Sequence, residues 1–165
     1  MTPPRRHRSA LILVLPAALA GCWGPTEFGE WGTGSGPSFC TALSRADDGH
    51  FVAVQLGRTG NQSGIAITAP ELEEAVATGA PGAVLTIDGS PVRAPASPGR
   101  FRDVATLTFN LDARRLLARH SAGMTLGVQS GGNTLYQARL TATAPAWQRL
   151  QRCDQGIPVI RRRRR

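Results

Sequence analysis

The chain contains no lysine, so all 19 of its basic residues are Arg. It has a single Tyr, three Trp and three Cys, and aromatic residues make up only 5% of it. The missing lysine, beside abundant Ala, Gly, Pro and Arg, reads as the bias of a GC-rich genome rather than as a functional signal. Neither a Cys-x-x-Cys nor a paired His is present, which argues against a zinc site. There is no Gly-x-Ser-x-Gly elbow. The glycine clusters at 32–36 and 131–132 lack the following Lys-Ser/Thr of a phosphate loop. No apolar run approaches the roughly 20 residues of a membrane-spanning helix, and no internal repeat is visible.

Charge of one sign is also scarce where it matters. The formal net charge is +8, a value that by itself invites a nucleic-acid reading. However, Arg5, Arg6 and Arg8 lie at the start of the chain and Arg161, Arg162, Arg163, Arg164 and Arg165 at its end. The residues between carry as many Arg as the 11 Asp and Glu of the chain. The central part is therefore neutral and gives nucleic acid no support as a partner. Five adjacent like charges repel each other, so 157–165 is expected to be a disordered Arg-rich tail. Contact of Arg161–Arg165 with anionic lipid or another polyanion and a merely solvated end remain alternatives.

What is present begins with residues 1–21. Arg5, Arg6, His7 and Arg8 precede an apolar stretch from Ala10 to Ala20, and Leu19-Ala20-Gly21-Cys22 follows. This order is that of an export signal, and the last four residues resemble the lipobox of bacterial lipoproteins. The resemblance implies diacylglycerol on the Cys22 thiol and then cleavage before Cys22, which frees its amine. Membrane attachment through that N-terminal lipid follows, and two or more acyl chains hold a protein stably. Trp23 rather than Asp after the cysteine leans towards the outer membrane over the inner, with the domain facing the periplasm. Arg5-Arg6 also suggests twin-arginine export, but Arg8 and Ser9 fit that pattern poorly.

In an oxidising compartment the two remaining cysteines, Cys40 and Cys153, are expected to pair. Removing the leader leaves a chain suited to one domain. Residues 22–37 read as a Gly-rich tether that joins the fold near Glu27 to Trp31, and 38–156 as a single β-rich domain. Strands are expected at 38–43, 51–56, 64–68, 83–87, 91–93, 103–109, 124–129 and 134–140. Asp88-Gly89 and Gly131-Gly132-Asn133 supply hairpin turns, and Ala94 to Gly99 reads as a Pro-rich loop. Helices are expected at 70–78, at 111–121 with Asn110 as cap, and at 145–153, where Ala146, Leu150 and Cys153 share a face. The sum is a mainly β fold, an antiparallel sandwich or bent sheet with two or three short peripheral helices.

The order Trp31, Cys40, alternating strands, Leu85-Thr86-Ile87-Asp88-Gly89, a helix with paired Leu, a hairpin and a terminal amphipathic helix resembles the invasion-associated locus B family. That resemblance, over about residues 27–153, implies an exported β-sandwich without known catalysis. The family's cysteine pattern is not reproduced, since Cys153 falls in the last helix.

No catalytic residue, metal ligand or cofactor is indicated. His120 suits the negative end of a helix, and His50 follows Asp47 and Asp48 in a turn. Three functions stay open. A lipid-anchored, non-catalytic binding or scaffolding domain predicts a β fold without a polar pocket. A small envelope-polymer hydrolase predicts a cleft where two carboxylates, or His50 with an acid, converge. A polyanion binder predicts dependence on the tail.

Overall fold

The structure, a computed structural model, describes residues 25–36, 38–46, 50–57 and 63–156. Two sheets face each other across one hydrophobic core. The five-stranded sheet has the order β1 (Thr26–Phe28), β11 (Asn133–Leu140), β10 (Met124–Ser130), β6 (Val84–Ile87) and β7 (Ser90–Val92). The six-stranded sheet runs β2 (Trp31–Ser35), β3 (Phe39–Arg45), β4 (Phe51–Gly57), β5 (Gly64–Thr68), β9 (Val104–Asn110) and β8 (Ala96–Phe101). Three short helices complete it. A 3-10 turn at Pro70–Leu72 runs into α1 (Glu73–Ala77), α2 spans Ala113–Arg119, and α3 spans Ala144–Asp154. The mainly β sandwich with peripheral helices expected from the sequence is what the chain forms.

Period-two alternation decides the inner faces. In β3 it turns Cys40, Ala42 and Ser44 inward, and in β4 Val52, Val54 and Leu56. The opposing sheet supplies Leu85, Leu126, Ala138 and Leu140, all at most 1% exposed. β5 is buried almost throughout because it lies between β4 and β9. Its Gly64 is required there: a β-carbon at that position would sit 2.7 Å from the Phe109 carbonyl oxygen.

The expected hairpins form where the turn chemistry marked them. Asp88 and Gly89 both take positive φ, as do Gly131 and Gly132, which is the backbone that a tight hairpin with right-handed strand twist needs. A third hairpin, β8–β9, turns at Arg102-Asp103, again with positive φ at both residues. It corrects the reading of Ala94 to Gly99 as a loop, since Ala96–Phe101 pairs antiparallel with β9. Pro98 is tolerated because β8 is an edge strand.

A second correction concerns the tether expected over 22–37. Thr26–Phe28 pairs in parallel with Ala138–Leu140, and Trp31–Ser35 pairs with β3. The chain crosses from one sheet to the other between Phe28 and Trp31, so residues 26–35 belong to the domain. The parallel pair is the one departure from antiparallel pairing among the described strands. The helix boundaries also shift. The residue ahead of α2 is Asp112, which makes no side-chain capping bond, and Asn110 instead ends β9.

α3 lies against β2 and β3 and buries Ala146, Trp147, Leu150 and Cys153. Trp147 is 2% exposed, meets Trp31 edge to face at 4.9 Å, and donates from Nε1 to the His120 carbonyl oxygen at 3.1 Å. Cys153 is disulfide-bonded to Cys40, with a Cα–Cα distance of 6.0 Å across a sequence separation of 113. A bond that closes so long a loop restricts the unfolded chain strongly, by about 4–5 kcal/mol in the chain-entropy account. Replacing both cysteines, as Cys40→Ala/Cys153→Ala, is predicted to lower the unfolding free energy by about 2–5 kcal/mol in urea titrations. An unchanged midpoint would show that α3 is held without the bond.

Candidate functional site

Of the residues singled out by sequence, Cys40 and Cys153 come together as described. Cys22, Arg161, Arg162, Arg163, Arg164 and Arg165 lie outside the described residues, as do Asp47 and Asp48. The two remaining histidines are each held by a carboxylate.

His50 precedes β4 and Glu71 sits in the 3-10 turn that follows β5. His50 Nε2 lies 3.1 and 2.9 Å from the two Glu71 oxygens. The imidazole stacks on Tyr136 of β11 with ring centroids 5.6 Å apart and an interplanar angle of 10°. An acid and a histidine thus converge here, but the pair packs on the five-stranded sheet, with the His50 side chain 13% exposed. Among the described residues the buried Tyr136 hydroxyl has no partner in hydrogen-bonding geometry. Burial pushes its pKa up to about 12, the Glu71 carboxylate adds to the rise, and the neighbouring Thr26 hydroxyl opposes it.

A second network ties the helices together. Arg114 of α2 donates from Nε and Nη2 to the two Asp154 oxygens of α3, at 2.7 and 2.6 Å. It also donates to the Gly57 carbonyl and to Ser63 Oγ. The side-chain hydrogen bond with Asp154 is the main reason the Arg114 pKa rises above its ordinary value. One guanidinium thereby joins α2, α3, β4 and the residue that leads into β5.

Beside this network, the β6–β7 hairpin and α2 enclose a cleft of about 560 Å³. Its apolar lining comes from Ile87, Pro91, Val92, Leu111 and Leu116. Its polar lining includes Asp88, Arg93, Asp112, Arg115, Arg119 and His120. Both carboxylates are engaged. Asp88 accepts from the Thr125 backbone N–H at 2.8 Å and meets His120 Nδ1 at 3.1 Å. Asp112 pairs with Arg115 at 3.2 Å. Arg93 and Arg119 have no acidic partner among the described residues. The cleft can therefore take up negative charge, and it corrects the expectation of a binding domain without a polar pocket. Among the described residues, no three His, Cys, Asp or Glu side chains gather to hold a metal ion.

Sequence reasoning missed this cleft. Arg115 and Arg119 were legible as helix residues, but nothing local linked them to Arg93, which reaches the same space only through the β6–β7 hairpin. No family model, curated protein or solved structure matches the chain. Sandwiches host many unrelated functions, so a functional reading must come from the residues.

The Tyr136 environment has a measurable consequence. Between pH 10 and 12 the unfolded chain loses the phenol proton while the folded chain keeps it. Stability is fully present below pH 10 and falls as the pH rises to 12, by at most about 2–3 kcal/mol. Tyr136→Phe keeps the stacked ring and is predicted to abolish that alkaline loss in denaturation curves. A Tyr136→Phe protein that loses the same stability over this range would contradict the assignment.

Proposed function

We infer that the chain is a lipid-anchored protein of the bacterial cell envelope whose β-sandwich is a non-catalytic binding module. The observation that carries this reading is a juxtaposition. The lipobox-like Leu19-Ala20-Gly21-Cys22 ends four residues before Thr26, the first residue of β1. A linker of that length spans at most about 14 Å. Acyl chains on Cys22 would hold the sandwich against the bilayer surface rather than on a long stalk. The domain faces the periplasm, and the Trp23 position favours the outer membrane.

Binding rather than catalysis is supported by how the candidate acid–base groups are used. Glu71 holds His50 on the Tyr136 ring, and Asp88 holds His120 beside the β10 start. Both histidines serve to fix neighbouring elements. Membership of the invasion-associated locus B family is not needed for this reading. The Arg161–Arg165 run supplies a further contact to anionic lipid or another polyanion, independent of the domain.

Cys22→Ser is predicted to release the protein from the membrane fraction of the producing cell. Intact-mass spectrometry of the wild-type product is expected to show acyl chains on an N-terminal Cys22. A Cys22→Ser protein that still fractionates with membranes and matures at the same bond would overturn the anchor.

A further inference from the structure

We propose that the cleft between β7 and α2 binds an anionic amphiphile: a phosphate or carboxylate carried on a short apolar body. The inference rests on the binding-module reading and names the class of ligand that the module takes.

The charge arrangement is the first argument. Arg115 and Arg119 stand four residues apart on α2, where side chains meet, and like charges at that spacing destabilise a helix. The α2 macrodipole accounts for a cation in the last turn, hence for Arg119. Asp112 accounts for Arg115, but neither the dipole nor an acid of the cleft accounts for Arg93, which approaches from the β7 side. Both acids of the cleft are already consumed by His120, the Thr125 N–H and Arg115. The cleft thus holds an uncompensated excess of guanidinium. An oxyanion between Arg93 and Arg119 would receive charge-assisted, planar hydrogen bonds from both walls and relieve the repulsion along α2.

The floor is the second argument. Ile87 and Leu116 are 5% and 9% exposed, and Val92 and Leu111 are half-buried. A fully hydrated ion such as free phosphate gains nothing from such a surface. A ligand with a short alkyl or similar apolar portion beside its charge buries that portion against Val92 and Leu116.

The third argument is rigidity. The wall that carries Arg115 and Arg119 is fixed from behind by Ala113, Leu116 and Leu117 in the core and by the Arg114–Asp154 pair. Its end is fixed by the Trp147 bond to the His120 carbonyl. A preformed wall spares the ligand the ordering cost that weakens most exposed arginine contacts.

The chemistry has two sources, the headgroup of an acidic lipid and a soluble organic anion. The experiment separates them. The mature chain from residue 22 to 165, produced without acylation so that lipid insertion does not mask the cleft, is titrated with hexyl phosphate, with inorganic phosphate and with hexanol by calorimetry. It is then mixed with phosphatidylcholine vesicles with and without phosphatidylglycerol. Hexyl phosphate is expected to bind at least about tenfold more tightly than either fragment, with affinity falling as salt rises. Arg93→Gln and Arg119→Gln each lower that affinity about tenfold while the Arg161–Arg165 run remains in place. Acidic-vesicle binding that falls in these variants assigns the anion to a lipid headgroup. Vesicle binding unaffected by them, with hexyl phosphate binding still lost, assigns it to a soluble anion. Failure to bind hexyl phosphate, or binding indifferent to both substitutions, overturns the proposal. Hydrolysis of the bound ester would instead overturn the non-catalytic reading and leave the cleft assignment standing, so the two failures are distinguishable.

Discussion

The inward face of α3 is the constraint on which the rest of the domain depends. Cys153, Leu150, Trp147 and Ala146 lie along one side of that helix and are buried. Each residue there does a different job. Cys153 fixes the helix covalently to β3, and Trp147 packs on Trp31 while its indole N–H holds the carbonyl at the end of α2. Just beyond, Asp154 receives Arg114 from the first turn of α2. α3 therefore joins the N-terminal strands, the central six-stranded sheet and the helix that forms one wall of the cleft. Packing alone would leave α2 as a seven-residue helix, too short to be stable by itself.

The sheets were legible because their inner faces obey a strict period of two and their main turns use residues that accept positive φ. Val52, Val54 and Leu56, or Ile65 and Ile67, need no tertiary information to be placed on one face. The Cys40–Cys153 pair was legible by elimination together with the helical spacing of Ala146, Leu150 and Cys153. What could not be read were features decided by tertiary context. β8 contains Pro98 and Gly99 and turns at Arg102-Asp103, a dipeptide with no local preference for a hairpin. It becomes a strand because β9 offers an unpaired edge, and Arg100 holds the turn by donating to the Asp103 carbonyl and pairing with Glu73. Residues 26–35 resemble a tether because they are rich in Gly and short of alternating apolar residues. Only Phe28 and Trp31, each anchored at the Thr141 backbone or packed into the core, bring them into the sheets.

The candidate site was illegible for a related reason. Its charged residues come from the end of a hairpin and from one helix, and no spacing in the chain connects them. The His50–Glu71 pair was hidden in the same way, because the two residues stand 21 apart in the chain and only the fold brings them together. In both places a carboxylate holds a histidine, and in the cleft Arg93 and Arg119 are left without an acidic partner among the described residues.

β1 and β7 are opposite edges of the five-stranded sheet, four strand spacings or about 19 Å apart. In the proposed anchored state the lipid enters at the β1 edge, and the cleft opens at the β7 edge. α3 holds that cleft wall through the Trp147–His120 bond. Hydrogen exchange of the wild type and of Trp147→Phe, which keeps an aromatic ring but removes the indole donor, tests it directly. Amides from Arg119 to Gly123 are predicted to exchange about tenfold faster in the variant while those of β3, β4 and β5 keep their protection. Unchanged exchange from Arg119 to Gly123, or equal acceleration across the whole domain, would contradict it.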